Sequence, residues 1–372
     1  HQLFTILNEI YHSKIQYAYT RQSININKLI KDFKENQQQH LLEEELNIAY
    51  AKIRNTLNEV HHQNKVIDVK AMIEKVLEEH EITISSSFSF KSLYQLIQIT
   101  AISSSQNLEY WNIEPFLIET YQVLKDHKSK DKQLFYHIEI LYQISNTLFR
   151  NKKFTESFKY LELMHIHMQH NTNKHLKEFN LKYHLLLALN YNYNGNQTLA
   201  IETLTPFTLK KDIDVISQLD IHLSLIVFHF QQQELKKAQN LFSRFYHTDT
   251  WYIDKIGIEW TVKKSLIEIL LQIDLGNIDL VDSRMLSFKR NYLKHLKELK
   301  QERVINYIKL VETYYKNPEV ITSNEFLEKV KNSFVWGDNQ KEDIFMMSFF
   351  AWLKAKMTKQ DVYLVTLDLV NS

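Results

Sequence analysis

Residues 181–207 read LKYHLLLALNYNYNGNQTLAIETLTPF, and this stretch decides the fold. Leu187, Ala188 and Tyr191 make one helical stripe. The triplet Asn194-Gly195-Asn196 turns the chain, and Leu199, Ala200, Leu204 and Phe207 make a second stripe. The pattern is a helix, a tight turn and a returning helix. Neither helix can bury its apolar face alone, so each needs neighbours of the same kind.

The rest of the 372 residues supplies them. Only four Gly and three Pro occur, too few for the turns of a sheet-rich chain this long. Helix formers abound, so the fold class is all-α. Net charge is +1, with 24% of residues charged, which gives no global field for nucleic acid or an anionic membrane. There is no cysteine, which excludes disulfides and cysteine–zinc sites and fits a reducing, cytoplasmic setting. No apolar run is long enough to span a membrane. The chain begins at His1 rather than Met, so a further segment is expected upstream.

Three regions are expected: an N-terminal helical region over 1–80, a helical connector over 81–130, and helical repeats over 131–372, clearest in 140–290. In the first region the periodicity predicts a helix through Leu3, Ile6, Leu7 and Ile10 and a second over Asn25 to Phe33. A third runs from Leu41 to Val60, with Gln37-Gln38-Gln39 as a connector before it, and a fourth covers about Val66 to Glu79. Glu81 to Ser89, EITISSSFS, reads as a break, and Ser103-Ser104-Ser105 with Asn107 as another loop. Trp111 and Pro115 are expected where the next helix starts.

Four hairpin units align by the turn and by a small residue in the second helix. Ser157, Ala200, Ala238 and Val281 occupy equivalent places, at spacings of 43, 38 and 43 residues. A period of this length means stacked helical hairpins. The first unit reads LYQISNTLFRNKKFTESFKYLEL, from 141. The third reads HLSLIVFHFQQQELKKAQNLF, from 222, and the fourth SLIEILLQIDLGNIDLVDSRM, from 265. Beyond 290, turns near Lys316 and Thr358 mark two more divergent units. Gly337-Asp338-Asn339 turns the chain between the helices of this last part. The final segment, Val362 to Val370, is apolar for a terminal helix.

These units resemble tetratricopeptide (TPR) repeats. The resemblance rests on a small or apolar pair in the first helix, an aromatic one turn later, a glycine-like turn and a small residue in the second helix. It implies an α-solenoid of TPR-like antiparallel hairpins, whose concave face, lined by the first helices, holds a protein or peptide. Carried onto this chain, the partner-binding face is Tyr142, Asn146, Arg150, Lys182, Asn192, Tyr193, Gln231 and Lys263. The family's clamp for terminal carboxylates needs Lys, Asn and Arg on three adjacent helices; only Asn146 fits, so no clamp is expected. Asn146→Ala with Asn192→Ala is expected to weaken partner binding without changing the melting point.

Other candidates for chemistry read as ordinary surface. His165, His167, His170 and His175 have no carboxylate at matching spacing and no HExxH pattern, so no metal is expected. No phosphate-cradling glycine loop, GxSxG or thiol nucleophile occurs, so neither a cofactor nor catalysis is expected. The basic residues from Arg284 to Arg303 are interrupted by Glu298 and Glu302 and read as a solvated face, not a nucleic-acid surface. Arg244 to Trp260, RFYHTDTWYIDKIGIEW, reads as a long loop packed over helix ends, with an aromatic ligand pocket as the sharper reading. The function expected is a non-catalytic scaffold. The alternative is a peptide-sensing regulator with its effector or DNA-binding domain upstream.

Overall fold

The computed structural model is all-helical, and no strand occurs among the described residues. These are 3–20, 23–63, 69–82, 90–107, 110–125, 133–169, 175–209, 213–298, 301–333 and 343–371. Eighteen α-helices lie within them. The chain divides into two compact units, 1–140 and 141–372.

The first unit holds α1 (Phe4–Gln16), α2 (Ile26–Gln63), α3 (Val69–Glu79), α4 (Phe90–Asn107), α5 (Tyr110–Leu124) and the start of α6 (Leu134–Arg150). Its core gathers Ala49 and Ile53 of α2, Ile73 of α3, Leu93 and Ile97 of α4, and Phe116 of α5. Tyr50 Oη donates to Ser92 O at 2.9 Å and ties α2 to α4. Two expected boundaries are corrected. The second and third helices are one, because Gln37-Gln38-Gln39 continues α2: glutamine forms helix well and no Gly or Pro intervenes. Ser103 to Asn107 is the end of α4 rather than a loop. Pro115 lies inside α5, past its first turn. The break from 83 to 89 lies outside the described residues. The stripe Leu3, Ile6, Leu7 and Ile10 forms as a helix but stays exposed.

The second unit begins with the end of α6. It continues with α7 (Phe154–Met168), α8 (Leu176–Tyr193), α9 (Gln197–Leu204), α10 (Val215–Gln231) and α11 (Leu235–Phe242). Then come α12 (Asp249–Ile256), α13 (Ile258–Leu275), α14 (Ile278–Glu298) and α15 (Glu302–Lys316). The last are α16 (Asn324–Ser333), α17 (Ile344–Thr358) and α18 (Val362–Asn371). Helices pair in sequence: α8 with α9, α10 with α11, α13 with α14 and α17 with α18. Successive pairs also touch, α7 on α8, α8 on α10, and α10 and α11 on α13.

The pairs share one turn. Lys152, Gly195, Gln233 and Gly276 all have positive φ, between 60° and 91°. Each is followed by an N–H that reaches back five residues, as in Asn196 N to Tyr191 O at 2.8 Å and Glu234 N to Phe230's neighbour, His229 O, at 2.9 Å. That bond closes a Schellman motif and satisfies a carbonyl the helix end leaves open. Five residues past each turn stand Ser157, Ala200, Ala238 and Val281, all buried. In the first pair Ser145 Oγ and Ser157 Oγ are 2.8 Å apart, so small residues let the two helices approach closely.

Arg244 to Trp260 is not a long loop. Thr248 caps a short helix by accepting from Trp251 N at 3.3 Å, and Gly257, at φ 102°, separates α12 from α13. Two of its rings turn inward, Tyr252 and Trp260, which are buried and pack with Leu219 and Phe245, whereas Tyr246 stays exposed. The last pair does not simply extend the row. Helix α18 touches α8, and Tyr363 Oη donates to Asn192 O at 2.6 Å. Its apolar face, Val362, Val365, Leu369 and Val370, is buried within the chain itself. The turn expected at Gly337-Asp338-Asn339 lies outside the described residues. No described helix is long and apolar enough to cross a membrane.

Candidate functional site

Four first helices, α6, α8, α10 and α13, turn one face each toward a cavity of about 260 Å³. Helix α6 contributes Asn146 and Arg150, one turn apart. Helix α8 contributes Leu185, Leu189 and Tyr193, at successive turns of one stripe. Asp220, Leu223, Ser224 and Val227 come from α10, and Trp260, Lys263 and Ile267 from α13. Helix α17 completes the wall with Phe345, Ser348 and Phe349. The lining is thus largely apolar, with a few polar groups converging on it, the usual character of a small-ligand pocket.

The polar groups are held in distinct ways. Arg150 Nη2 lies 2.5 Å from Asp343 Oδ2, and the Arg150 guanidinium sits 4.6 Å from the Phe345 ring centre. Tyr193 is buried, and its hydroxyl is 2.8 Å from Ser348 Oγ. Burial pushes that phenol up to about 12. Trp260 Nε1 donates to Asp220 Oδ1 at 2.9 Å. Burial raises the Asp220 carboxyl to about 6, against the opposing pull of the Trp260 bond and of Lys263. Lys263 Nζ stands 5.2 Å from the centre of the Phe345 ring. Burial first, then the nearby Arg150 charge, lowers the Lys263 pKa.

Of the eight residues expected on a partner-binding face, the fold brings Asn146, Arg150, Tyr193 and Lys263 together at this cavity. Tyr142 and Lys182 meet each other elsewhere, with the ammonium 5.5 Å from the Tyr142 ring centre. Asn192 and Gln231 are buried, and Asn192 Nδ2 donates to Gln231 Oε1 at 2.9 Å. They join α8 to α10. A substitution at Asn192 therefore disturbs packing, so the expected unchanged melting point does not fit its position. Asp220, Ser348, Phe345 and Asp343 were absent from the sequence reading. Asp220 carried a signal, as a carboxylate in an apolar helix stripe.

A second, polar cavity of about 400 Å³ lies between α12, α13 and α14. Its charges answer one another: Lys264 Nζ is 3.1 Å from Asp249, and Arg284 Nε is 2.6 Å from Glu268. The basic run of α14 likewise spends charge on pairs, Lys289 with Glu312 at 2.6 Å and Lys294 with Glu298 at 3.9 Å. Among the described residues no group of three or more His, Asp or Glu is placed to hold a metal. His165 stacks on Tyr183, ring centres 4.9 Å apart, and His170 lies outside the described residues. No protein-family model, curated protein or solved structure matches the chain.

Proposed function

We propose that residues 141–372 form a TPR-like solenoid that acts, without catalysis, as a cytoplasmic binding module for a protein or peptide segment. The segment lies on the face that α6, α8, α10 and α13 share. One observation carries this reading: successive hairpins direct their first helices toward a common, mostly apolar cavity. The regular turns support it, because they keep those first helices in equivalent positions. Ion pairs engage Lys264, Arg284 and Lys289 at the second cavity and along α14, which favours the first cavity as the ligand face.

A photo-crosslinking residue at Leu223 tests the reading in lysate of the source cell. One at Leu199, exposed on the outer side of α9, is the control. Reproducible capture of one segment at Leu223 and not at Leu199 is the expected result. Equal capture at both positions, or none at either, removes the reading.

A further inference from the structure

Lys263 differs from the other charged groups of the apolar cavity. Arg150 has Asp343, and Asp220 has the Trp260 indole. Lys263 has no hydrogen bond or ion pair within 4 Å among the described residues; the face of Phe345 lies against it, and the carboxylates of Asp343, Glu259 and Asp220 attract it only from further off. A half-buried ammonium with no hydrogen-bonding partner is costly, and an aromatic face replaces little of the lost hydration. The same cavity presents bare hydrocarbon from Leu189, Leu223 and Val227. These two unmet demands, one anion and one apolar body, sit within a single cavity. Its volume, about 260 Å³, falls below the common range for drug-sized ligands, about 300–1,000 Å³, and so calls for a small occupant. Asp220 lies in the same cavity, so a dianion such as phosphate meets a carboxylate as well as an ammonium.

The geometry points to a site for a small apolar monocarboxylate, its carboxylate paired with Lys263 Nζ and its hydrocarbon body packed against Leu189, Leu223 and Val227. The inference rests on reading this face as the ligand face and names the chemistry it takes. The carboxylate can belong to a free acid or to the C-terminal residue of an apolar peptide.

Titration calorimetry and thermal melting of the full chain test it. The probes are octanoate, octan-1-ol and octylammonium, with acetyl-dialanyl-leucine and its C-terminal amide as the peptide arm. Octanoate is expected to bind and raise the melting temperature, with octanol at least about tenfold weaker and octylammonium inert. Lys263→Met should weaken octanoate about tenfold and leave octanol within about twofold. Binding of the free peptide acid but not octanoate, lost in Lys263→Met, assigns the carboxylate to a peptide end. Equal binding of octanol and octanoate overturns the proposal, as does an unchanged octanoate affinity in Lys263→Met. So does failure of every acid at millimolar concentration. If Lys263→Met does not fold, the comparison of octanoate with octanol on the natural chain decides alone. Failed acids beside intact capture at Leu223 sink this inference and leave the binding-module reading standing. Bound acids without capture do the reverse.

Discussion

Arg150 Nη2 stands 2.5 Å from Asp343 Oδ2, joining the end of α6 to the start of α17 at the edge of the cavity. The approach is a close ion contact rather than a well-angled hydrogen bond. Asp343 also caps α17, accepting from Phe345 N at 3.1 Å through its other oxygen. Its side chain is 1% exposed and that of Arg150 9%, so solvent screens the pair little. Removing one partner of such a pair leaves a buried charge, which costs about 3–5 kcal/mol. Asp343→Asn is therefore expected to lower unfolding stability by about 3 kcal/mol. Arg150→Met combined with Asp343→Asn should cost less than the two single losses added. Urea unfolding of the four proteins of the cycle checks this. A loss under about 0.5 kcal/mol in each single variant would mean the pair is hydrated.

The shared turn predicts opposite signs at two equivalent positions. Gln233 holds φ 60° and Gly276 φ 72°. A side chain in that region costs about 1–2 kcal/mol, and glycine adopts it freely. Gln233→Gly should stabilise the chain by up to about 1 kcal/mol, and Gly276→Ala should destabilise it by about 1 kcal/mol. A Cβ at Gly276 meets no atom within 4 Å, so the loss is conformational and not a clash. Chemical denaturation reads both. Matching signs would show that the two turns are not equivalent.

The turns also show how much of the fold was legible. Gly195 and Gly276 announce themselves, whereas Lys152 and Gln233 do not. Their only sequence signal is the small residue five positions on, Ser157 or Ala238, which must be small because two helices meet there. All-helical character followed from composition, and the hairpins from periodicity. Local breaks are harder to read: Gln37 to Gln39 and Ser103 to Ser105 are polar, but polarity alone does not end a helix that packing supports. The wall of the cavity that Phe345, Ser348 and Phe349 supply was hidden for a different reason. A repeat pattern specifies contacts between neighbours. The α17 wall arises from a non-neighbour contact, in which Tyr193 meets Ser348 across 155 positions. No local spacing encodes that return.

The return of the last hairpin rests in part on two phenols. Tyr193 Oη is 2.8 Å from Ser348 Oγ, and Tyr363 Oη is 2.6 Å from Asn192 O. Each bond contributes on the order of 1 kcal/mol, and an acceptor left buried without its donor costs somewhat more. Tyr363→Phe is expected to destabilise the chain by about 1 kcal/mol and to speed amide exchange in 344–371 more than in α10 or α11. Hydrogen exchange read by mass spectrometry measures it. Uniform acceleration throughout 141–372 would mean that the hairpin does not open as a separate element.

Asp220 gives the cavity a pH signature. Its carboxyl is raised by burial to about 6, above the 3.8 of an exposed aspartate. Between those values the folded chain holds the proton more tightly than the unfolded one. Stability contributed by this group therefore falls as pH rises from about 4 to about 6, and the loss persists above that. The groups facing it are Trp260 and Lys263 from α13 and Asp214 from the start of its own helix. Arg150 and Tyr193 line the cavity from α6 and α8 and do not titrate in that window, and Asp343, at the start of α17, faces Arg150 at the cavity's edge. Asp220→Asn keeps an acceptor for the Trp260 indole and removes the buried charge. It should stabilise the chain at pH 7.5 by on the order of 1 kcal/mol and leave it nearly unchanged at pH 4. Urea unfolding of both proteins at pH 4, 6 and 7.5 reads the difference, in which the remaining titrating groups cancel. An equal effect at pH 4 and 7.5 would place the Asp220 carboxylate in contact with water.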